Sequence, residues 1–186
     1  MGSLFKKDRV MKSKKKQFNT SDEFIKFTPS GNDICVAHER AKKMGVLPNS
    51  YTQGLGRMAG CLGEIAVNKY LPRSKYVGDT SFCHDITYKN KEIEVKSKTC
   101  SSQPKLEYGA FVNCKNNPVL NNDVYFFTRV RRDLMLVWLV GWLPTTTLLK
   151  KADFVKRGDC DEDGYTFKSS GLHIPIKKLK SPGTFM

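Results

Sequence analysis

The amino-acid sequence predicts a domain of the α/β or α+β class, in which helices pack on a mixed β-sheet. Three observations lead to this prediction. Apolar residues at helical spacing precede position 72, an alternating hairpin pattern covers 84–98, and two continuous apolar runs follow it. The chain has 186 residues and 39% hydrophobic content, which suits one soluble domain with a buried core.

Two helices are expected before the hairpin. The first should begin at Asn32 or Asp33, since either side chain could cap it, and stop at Gly45. The second should cover about 51–70, because Pro72 ends the helical pattern.

The second helix carries several glycines. At 100° per residue, Gly56, Gly60 and Gly63 form a smooth strip beside an apolar stripe. Each glycine costs about 1 kcal/mol relative to alanine inside a helix, so another segment is expected to approach closely there. Arg57 and Glu64 occupy the polar arc beside the strip, which puts Glu64 at the rim of this contact.

The stretch HDITYKNKEIEVKSK, residues 84–98, predicts a β-hairpin with a two-residue turn at Asn90–Lys91. This turn places Asp85 opposite Lys96. Strand alternation then assigns four apolar residues to the core face: Ile86, Tyr88, Ile93 and Val95. The opposite face carries Asp85, Thr87, Glu94 and Lys96. Since opposed Cβ atoms lie about 4.5–5.5 Å apart, Asp85, Glu94 and Lys96 are expected to converge.

The following elements are the buried strands of the sheet. Residues 101–117 could form a short helix or an irregular crossover. The runs DVYFFTRV and LMLVWLVGWL predict two fully buried strands joined by a tight charged turn. Trp138 and Trp142 share strand parity in the second run and are expected in the core.

The C-terminal part is expected to contain one helix and short strands. PTTTLLKKADFVKRG predicts a capped helix that ends at Gly158. In the tail, YTF and HIPI suggest short strands or loops, and Pro175 should restrict the latter to a sheet edge.

Charge runs and composition suggest how the chain is organised. Seven Lys or Arg fall between residues 6 and 16, which predicts an arm that contacts phosphates or serves only as a solubilising tail. The expected division is a basic, flexible arm at 1–20 and a single domain at 21–186, with its core at about 50–143 and a C-terminal helix and strands at 144–186.

The net charge of +14, from 32 Lys and Arg against 18 Asp and Glu, favours a nucleic-acid partner over a merely solvated basic surface. No apolar run approaches the roughly 18–20 residues of a membrane span, so no membrane partner is expected. Six cysteines without a C-x-x-C pair indicate reduced thiols and an intracellular location, either the cytoplasm or, for a phage-encoded protein, the host cytoplasm.

The charged face of the hairpin has a possible chemical use. Two carboxylates at this spacing can share Mg²⁺, which prefers oxygen ligands and keeps several waters. A lysine beside them can orient a water or stabilise developing charge, and Glu64 could complete the set. The alternative is a salt-bridged hairpin with its charges in solvent, since E-x-K on a strand is common.

With these residues in place, the sequence resembles the PD-(D/E)XK nuclease superfamily, which has the restriction-endonuclease-like fold. The resemblance covers about 50–143 and depends on Gly63-Glu64 on a helix, Asp85 on a second strand and Glu94-Val95-Lys96 on a third. It implies a central mixed four-stranded sheet flanked by helices. His84 stands where the name-giving proline would be, and it is expected to face away from Asp85.

The resemblance also implies an activity and a set of residue roles. The activity is Mg²⁺-dependent cleavage of phosphodiester bonds, with Mn²⁺ as a possible substitute. Glu64, Asp85, Glu94 and the carbonyl of Val95 would hold the metal, and Lys96 would assist the attacking water.

The leading hypothesis is therefore a DNA endonuclease, acting on duplex or branched DNA and possibly as a homodimer. Nucleic-acid contacts are expected from Arg57, Lys98 and Gln103. The alternatives are a non-catalytic nucleic-acid-binding module on the same fold, and a junction-resolving or RNA-cleaving nuclease. Restriction, repair, recombination, phage and mobile-element nucleases would all share these features.

Overall fold

The structure is a computed structural model, and it describes residues 17–19, 24–43, 55–78, 84–116, 118–161 and 164–185. Within them the strands and helices are β1 Phe18–Asn19, β2 Ile25–Phe27, α1 Gly31–Lys43, α2 Leu55–Tyr70, β3 Lys75–Tyr76, β4 Ile86–Tyr88, β5 Lys91–Cys100, β6 Gly109–Asn113, β7 Val124–Arg131, β8 Val137–Pro144, α3 Thr145–Lys151, β9 Asp153–Val155 and β10 Gly171–Pro175.

The strands form two sheets. The main sheet is mixed and has seven strands in the order β1-β2-β8-β7-β5-β4-β3, with β5 and β7 parallel. The second sheet is antiparallel, in the order β6-β10-β9. The general α+β prediction is confirmed. The sheet is larger than the four strands expected, because β1, β2 and β3 are only two or three residues long and show no period in the sequence.

Each face of the main sheet has its own core. On one face, Leu62 and Ala66 of α2 pack against Ile93, Val95 and Phe126 of the sheet. On the other face, the second sheet and α3 pack on the residues that alternate with these: Tyr125, Phe127 and Trp138 meet Val112, Leu148 and Ile174. This face of the main sheet is therefore covered by the second β-sheet together with α3, whereas helices alone were expected on both faces.

Helix α1 begins with a reciprocal cap made by Ser30, not by Asn32 or Asp33 as expected. Ser30 donates from its backbone N and its Oγ to Asp33 Oδ2, at 2.9 and 2.8 Å, and the Asp33 N–H returns a bond of 3.3 Å to Ser30 Oγ. Asp33 is 3% exposed and also pairs with Lys69 of α2 at 2.7 Å. The ion pair between Asp33 and Lys69 links α1 to α2. The stop predicted at Gly45 lies outside the described residues.

The β4–β5 hairpin has the predicted faces but a different turn. Lys89 and Asn90 form the turn, with φ of 48° and 60°, as a tight two-residue hairpin loop requires. Thr87 therefore pairs with Glu92 rather than with Glu94. The register error is two residues, so alternation is unchanged, and the four residues assigned to the core face are buried as predicted: Ile86, Tyr88, Ile93 and Val95.

Several later predictions were wrong. The crossover contains a strand, β6, where a short helix or an irregular segment was expected. Helix α3 ends at Lys151 rather than near Gly158, because the chain turns into β9. Strand β10 lies in the centre of its sheet. It tolerates Pro175 because that residue is its last, beyond the part that pairs with β9.

The two tryptophans lie on opposite faces of β8, against the prediction that they share one. Trp138 is buried on the second-sheet side, whereas Trp142 packs partly buried on the α2 side. A bulge causes the change of parity: Phe127 pairs with Gly141 but Thr128 pairs with Leu139. Gly141 has a φ of +151°, which only glycine adopts readily.

The predicted arm at 1–20 lies largely outside the described residues. Its described part, 17–19, includes strand β1, which pairs with β2 and so belongs to the domain. In the part of the chain that the structure describes, no helix is both long and apolar enough to cross a membrane. The five described cysteines form no disulfide.

Candidate active site

Asp85 lies at a stretch of strand edge that the described residues leave open. Strand β4 pairs with only the first residues of β5, up to Ile93, whereas β5 continues to Cys100. Asp85 directly precedes β4, where its N–H donates to the Ile93 carbonyl at 3.0 Å. Its Oδ2 accepts a hydrogen bond from the Val95 N–H at 2.8 Å. The side chain thus takes the position that a carbonyl of a neighbouring strand would have. The Asp85 carboxylate is thereby held near the plane of the sheet, beside β5.

Glu94 and Lys96 extend from β5 toward the second-sheet side, because they alternate with the buried Ile93 and Val95. Lys96 Nζ donates to Glu94 Oε1 at 2.6 Å. The Glu94 side chain is 20% exposed and the Lys96 side chain 36%, so solvent reaches both. The E-x-K pattern thus places an anion and a cation in direct contact beside Asp85.

Glu64 approaches from the opposite side, on α2. A Cβ on the preceding residue, Gly63, would collide with Ser97 Oγ and lie 2.5 Å from Thr128 Oγ1. The missing side chain lets the helix sit directly on β5 and β7, which confirms the expected close approach at Gly63. The expectation of a close approach is wrong at Gly60, where an added Cβ would meet no described residue within 4 Å.

Glu64 is buried, at 8% exposure. Tyr76 of β3 donates from its hydroxyl to Glu64 Oε2 at 3.1 Å, which orients the carboxylate. The guanidinium of Arg40, on α1, stacks 3.6 Å from the centre of the Tyr76 ring. Elements from three parts of the chain therefore fix the position of Glu64.

The three carboxylates influence one another electrostatically. Burial, followed by the charges of Glu64 and Glu94, raises the pKa of Asp85 to about 7, against the opposing effects of the Val95 N–H and Lys96. Burial is the largest cause of this rise, and the charges of the two neighbouring glutamates add to it, so a cation beside Asp85 would favour its ionised form. Sites of this kind cluster at functional positions.

The donor set suits a hard divalent cation that retains waters. Among the described residues, no three His, Cys, Asp or Glu side chains stand close enough together to hold a metal by themselves. Each of the three carboxylates uses one oxygen in a hydrogen bond that orients it. A cation would relieve the repulsion that raises the Asp85 pKa, and Mg²⁺ commonly binds through one or two carboxylates, waters and substrate phosphate.

The other predicted residues lie around this cluster. His84 contacts Thr87 Oγ1 at 3.2 Å and Glu92 Oε2 at 3.6 Å. Arg57 lies on α2 two turns before Glu64, and its buried Nε has no hydrogen-bond partner among the residues that the structure describes. Lys98 follows Lys96 on the same face of β5, and Gln103 is exposed in the turn after that strand.

Sequence reasoning missed two residues near the cluster. Tyr76 donates a hydrogen bond to Glu64, but a single tyrosine in a two-residue strand gives no sequence pattern that would predict this contact. Arg129 is 5% exposed on β7, next to Lys98 in the parallel register. A signal for Arg129 was present, since it interrupts an apolar strand run in which a charged residue is unexpected.

No protein-family model matches the chain, and no curated protein matches it at a significant level.

Proposed function

We propose that the chain is a Mg²⁺-dependent DNA endonuclease, with Mn²⁺ as a possible substitute. One observation carries the proposal: the Asp85 carboxyl, held on the Val95 N–H, interacts electrostatically with Glu64, Glu94 and Lys96. Three carboxylates with one lysine beside them leave net negative charge in this place, which a divalent cation would balance.

The order of the elements supports a restriction-endonuclease-like core made of α2, β3, β4, β5 and β7. These four strands are contiguous in the main sheet and mixed in direction. Asp85 directly precedes the second of them, and Glu94 and Lys96 lie on the third. The position of Gly63-Glu64 on the helix matches the same pattern. We infer that β8, β2 and β1 extend this core on one side.

The proposed roles follow from what each side chain can hold. Of Glu64, Asp85 and Glu94, one or two would supply a carboxylate oxygen directly, and the others would act through waters that the ion retains. The Val95 carbonyl points to the same strand edge as the Val95 N–H, so its oxygen could also bind the ion. A divalent ion bound there would neutralise phosphate charge and lower the pKa of a water.

Lys96 is the cation of the set. Its Nζ contacts Glu94, and from that position it can donate to a water or to a phosphate oxygen in the same space. Tyr76 would act as a positioning residue, since it touches Glu64 and lies behind it. The net charge of +14 favours a polyanionic substrate over a neutral one.

The test is cleavage of supercoiled plasmid with Mg²⁺ or Mn²⁺, with EDTA as a blank. Glu94→Gln keeps the shape of the side chain and removes its charge. Glu92→Gln is the matched control, because Glu92 lies two residues away on the same face of β5 but next to His84. We expect about a 100-fold or greater loss of cleavage for Glu94→Gln and little change for Glu92→Gln. Equal activity of the two variants would refute the assignment.

A substrate panel then identifies the polymer. Supercoiled and linear duplex, single-stranded DNA, a four-way junction and RNA are compared under the same metal conditions. Nicking or linearisation of the plasmid supports an endonuclease, and preference for the junction or for RNA would revise the substrate. Tight binding without cleavage of any polymer would favour a non-catalytic binding module.

A further inference from the structure

A cavity of about 140 Å³ lies beside the carboxylate cluster, between the main sheet and β6. Three cationic residues line it: Lys96, Lys98 and Arg129. Its walls include the rings of Phe111 and Phe127, and no acidic residue is among its lining. It is smaller than the roughly 300–1,000 Å³ of ordinary small-molecule sites, so it suits a single small group.

Arg129 is the central cation. It is only 5% exposed, and its Nη2 donates to the carbonyl of Gly109. In the part of the chain that the structure describes, no carboxylate lies within ion-pairing distance of Arg129. A guanidinium carries five N–H donors and does not give up its proton in proteins, so one carbonyl leaves most of its capacity unused. A guanidinium that is 5% exposed has lost much of its hydration, and an anion in the cavity would compensate for that loss.

The two lysines complete the lining from β5. The parallel register places Lys98 beside Arg129 and Lys96 beside Phe127. Lys98 is exposed, and its Nζ lies 4.7 Å from the centre of the Tyr165 ring. Lys96 also contacts Glu94, so the cavity and the carboxylate cluster share this one side chain.

We propose that this cavity is an anion pocket that takes one phosphate group of the bound nucleic-acid strand, while a neighbouring phosphodiester lies at the carboxylates. The placement of the second phosphate rests on the proposed nuclease function. The binding of an anion by Arg129 and the two lysines does not. Apolar walls strengthen the attraction, because charges interact more strongly away from water.

The first experiment uses inorganic phosphate and needs no metal and no cleavage. Thermal unfolding in EDTA is followed against phosphate concentration, with chloride at the same ionic strength as the reference. We expect a saturating, phosphate-dependent rise in Tm for the wild type. The Arg129→Met variant should bind phosphate about tenfold or more weakly, because a charged hydrogen-bonding partner is lost.

Arg132→Met is the matched control. It removes the same charge and the same atoms from an exposed arginine three residues further along. It should respond to phosphate like the wild type. Because methionine is apolar and close to arginine in volume, Arg129→Met should also fold at least as stably as the wild type without phosphate. If it does not fold, Lys98→Met gives the same readout.

Two results would overturn the pocket: a wild type whose Tm responds no more to phosphate than to chloride, or an Arg129→Met variant that responds like Arg132→Met. Both are independent of cleavage, so a failure of the nuclease proposal leaves this test intact.

Short single strands with a 5′-phosphate, a 3′-phosphate or neither, bound in EDTA, then identify the phosphate. Equal binding of all three, weakened alike in Arg129→Met, indicates an internal phosphodiester. Preference for one terminal phosphate indicates an end-recognising pocket. If Arg129→Met and Arg132→Met bind all three strands equally, the pocket does not hold the strand.

Discussion

The two charged regions along β5 handle buried charge in opposite ways. At the open edge, Glu64, Asp85 and Glu94 gather negative charge, and Asp85 can take up a proton, so that its pKa rises to about 7. A few residues further along β5, beside Lys98, Arg129 of β7 carries a buried positive charge with a carbonyl as its partner, and it cannot give up its proton. The carboxylate cluster can therefore exist alone by protonation, whereas the cavity at Arg129 is best satisfied by an external anion.

Lys96 is the residue that links the two regions, so its removal should have the largest effect. Lys96→Met takes a cation from Glu94 and from the cavity lining at once. We expect cleavage to fall by about 100- to 1,000-fold, the range observed when one preorganised donor is removed from an active site. Single-turnover plasmid cleavage measures it. Lys91→Met, an exposed lysine at the start of the same strand, is the control. A loss of activity in both would point to general charge instead.

Asp85→Asn isolates the acidic region. In the metal-free protein the variant should be more stable than the wild type at pH 8 by roughly 1–3 kcal/mol, because it no longer ionises a buried carboxyl between two glutamates. Divalent metal should stabilise the wild type but not the variant. Urea unfolding at pH 8, with EDTA or with Mn²⁺, measures both effects. A variant that is less stable in EDTA would show that the Val95 N–H bond outweighs the repulsion.

The pH dependence of stability, measured in EDTA so that no metal is bound, gives the same quantity. Asp85 has an unfolded-state pKa near 3.8 and a folded-state pKa of about 7, so the native state binds the proton more tightly. Its contribution to stability is complete below pH 3.8 and is lost as the pH rises toward 7. The difference in unfolding free energy between Asp85→Asn and the wild type should therefore grow across this window. A constant difference from pH 4 to pH 8 would contradict the raised pKa.

Gly63 tests whether close helix packing creates the acidic region. Gly63→Ala forces α2 away from Ser97 and Thr128 and should destabilise the protein by about 1–3 kcal/mol. Gly60→Ala, three residues earlier on the same helix, meets open space and should be neutral or stabilising by up to about 1 kcal/mol. Thermal unfolding of the pair measures the difference. Equal stabilities would mean that the sheet hydroxyls move aside without cost.

Tyr76→Phe is expected to have the smallest effect. It removes the hydroxyl that orients Glu64 but keeps the ring on which Arg40 stacks. A positioning role predicts a several-fold loss of cleavage together with a higher Mn²⁺ concentration for half-maximal activity, since such supporting partners affect metal affinity. A purely structural role predicts lower stability with no change in metal dependence. Phosphate binding at Arg129 should be unaffected in either case.

The residues of the carboxylate cluster could be named from the sequence because hairpin alternation tolerates error in the turn. The turn lies at Lys89–Asn90 instead of Asn90–Lys91, yet a two-residue shift in register returns the side chains of β4 and β5 to the same faces. Asp85 precedes β4, and its carboxylate lies near the plane of the sheet instead of on the predicted face. The same reasoning failed for Trp138 and Trp142, because the Gly141 bulge adds one residue and reverses the faces. Local alternation shows no sign of a bulge.

By itself, the sequence determined the α+β class, the two buried strands, the faces of the hairpin and the identity of Glu64, Asp85, Glu94 and Lys96 as a candidate set. Those features depend on period and spacing within one segment. Only the tertiary structure decided the seven-stranded sheet, the β-layer over one face, the contact of Tyr76 with Glu64 and the burial of Arg129 beside Lys98. Each of these joins segments that are distant in the chain, and the free energy that selects them comes from packing that no local pattern encodes.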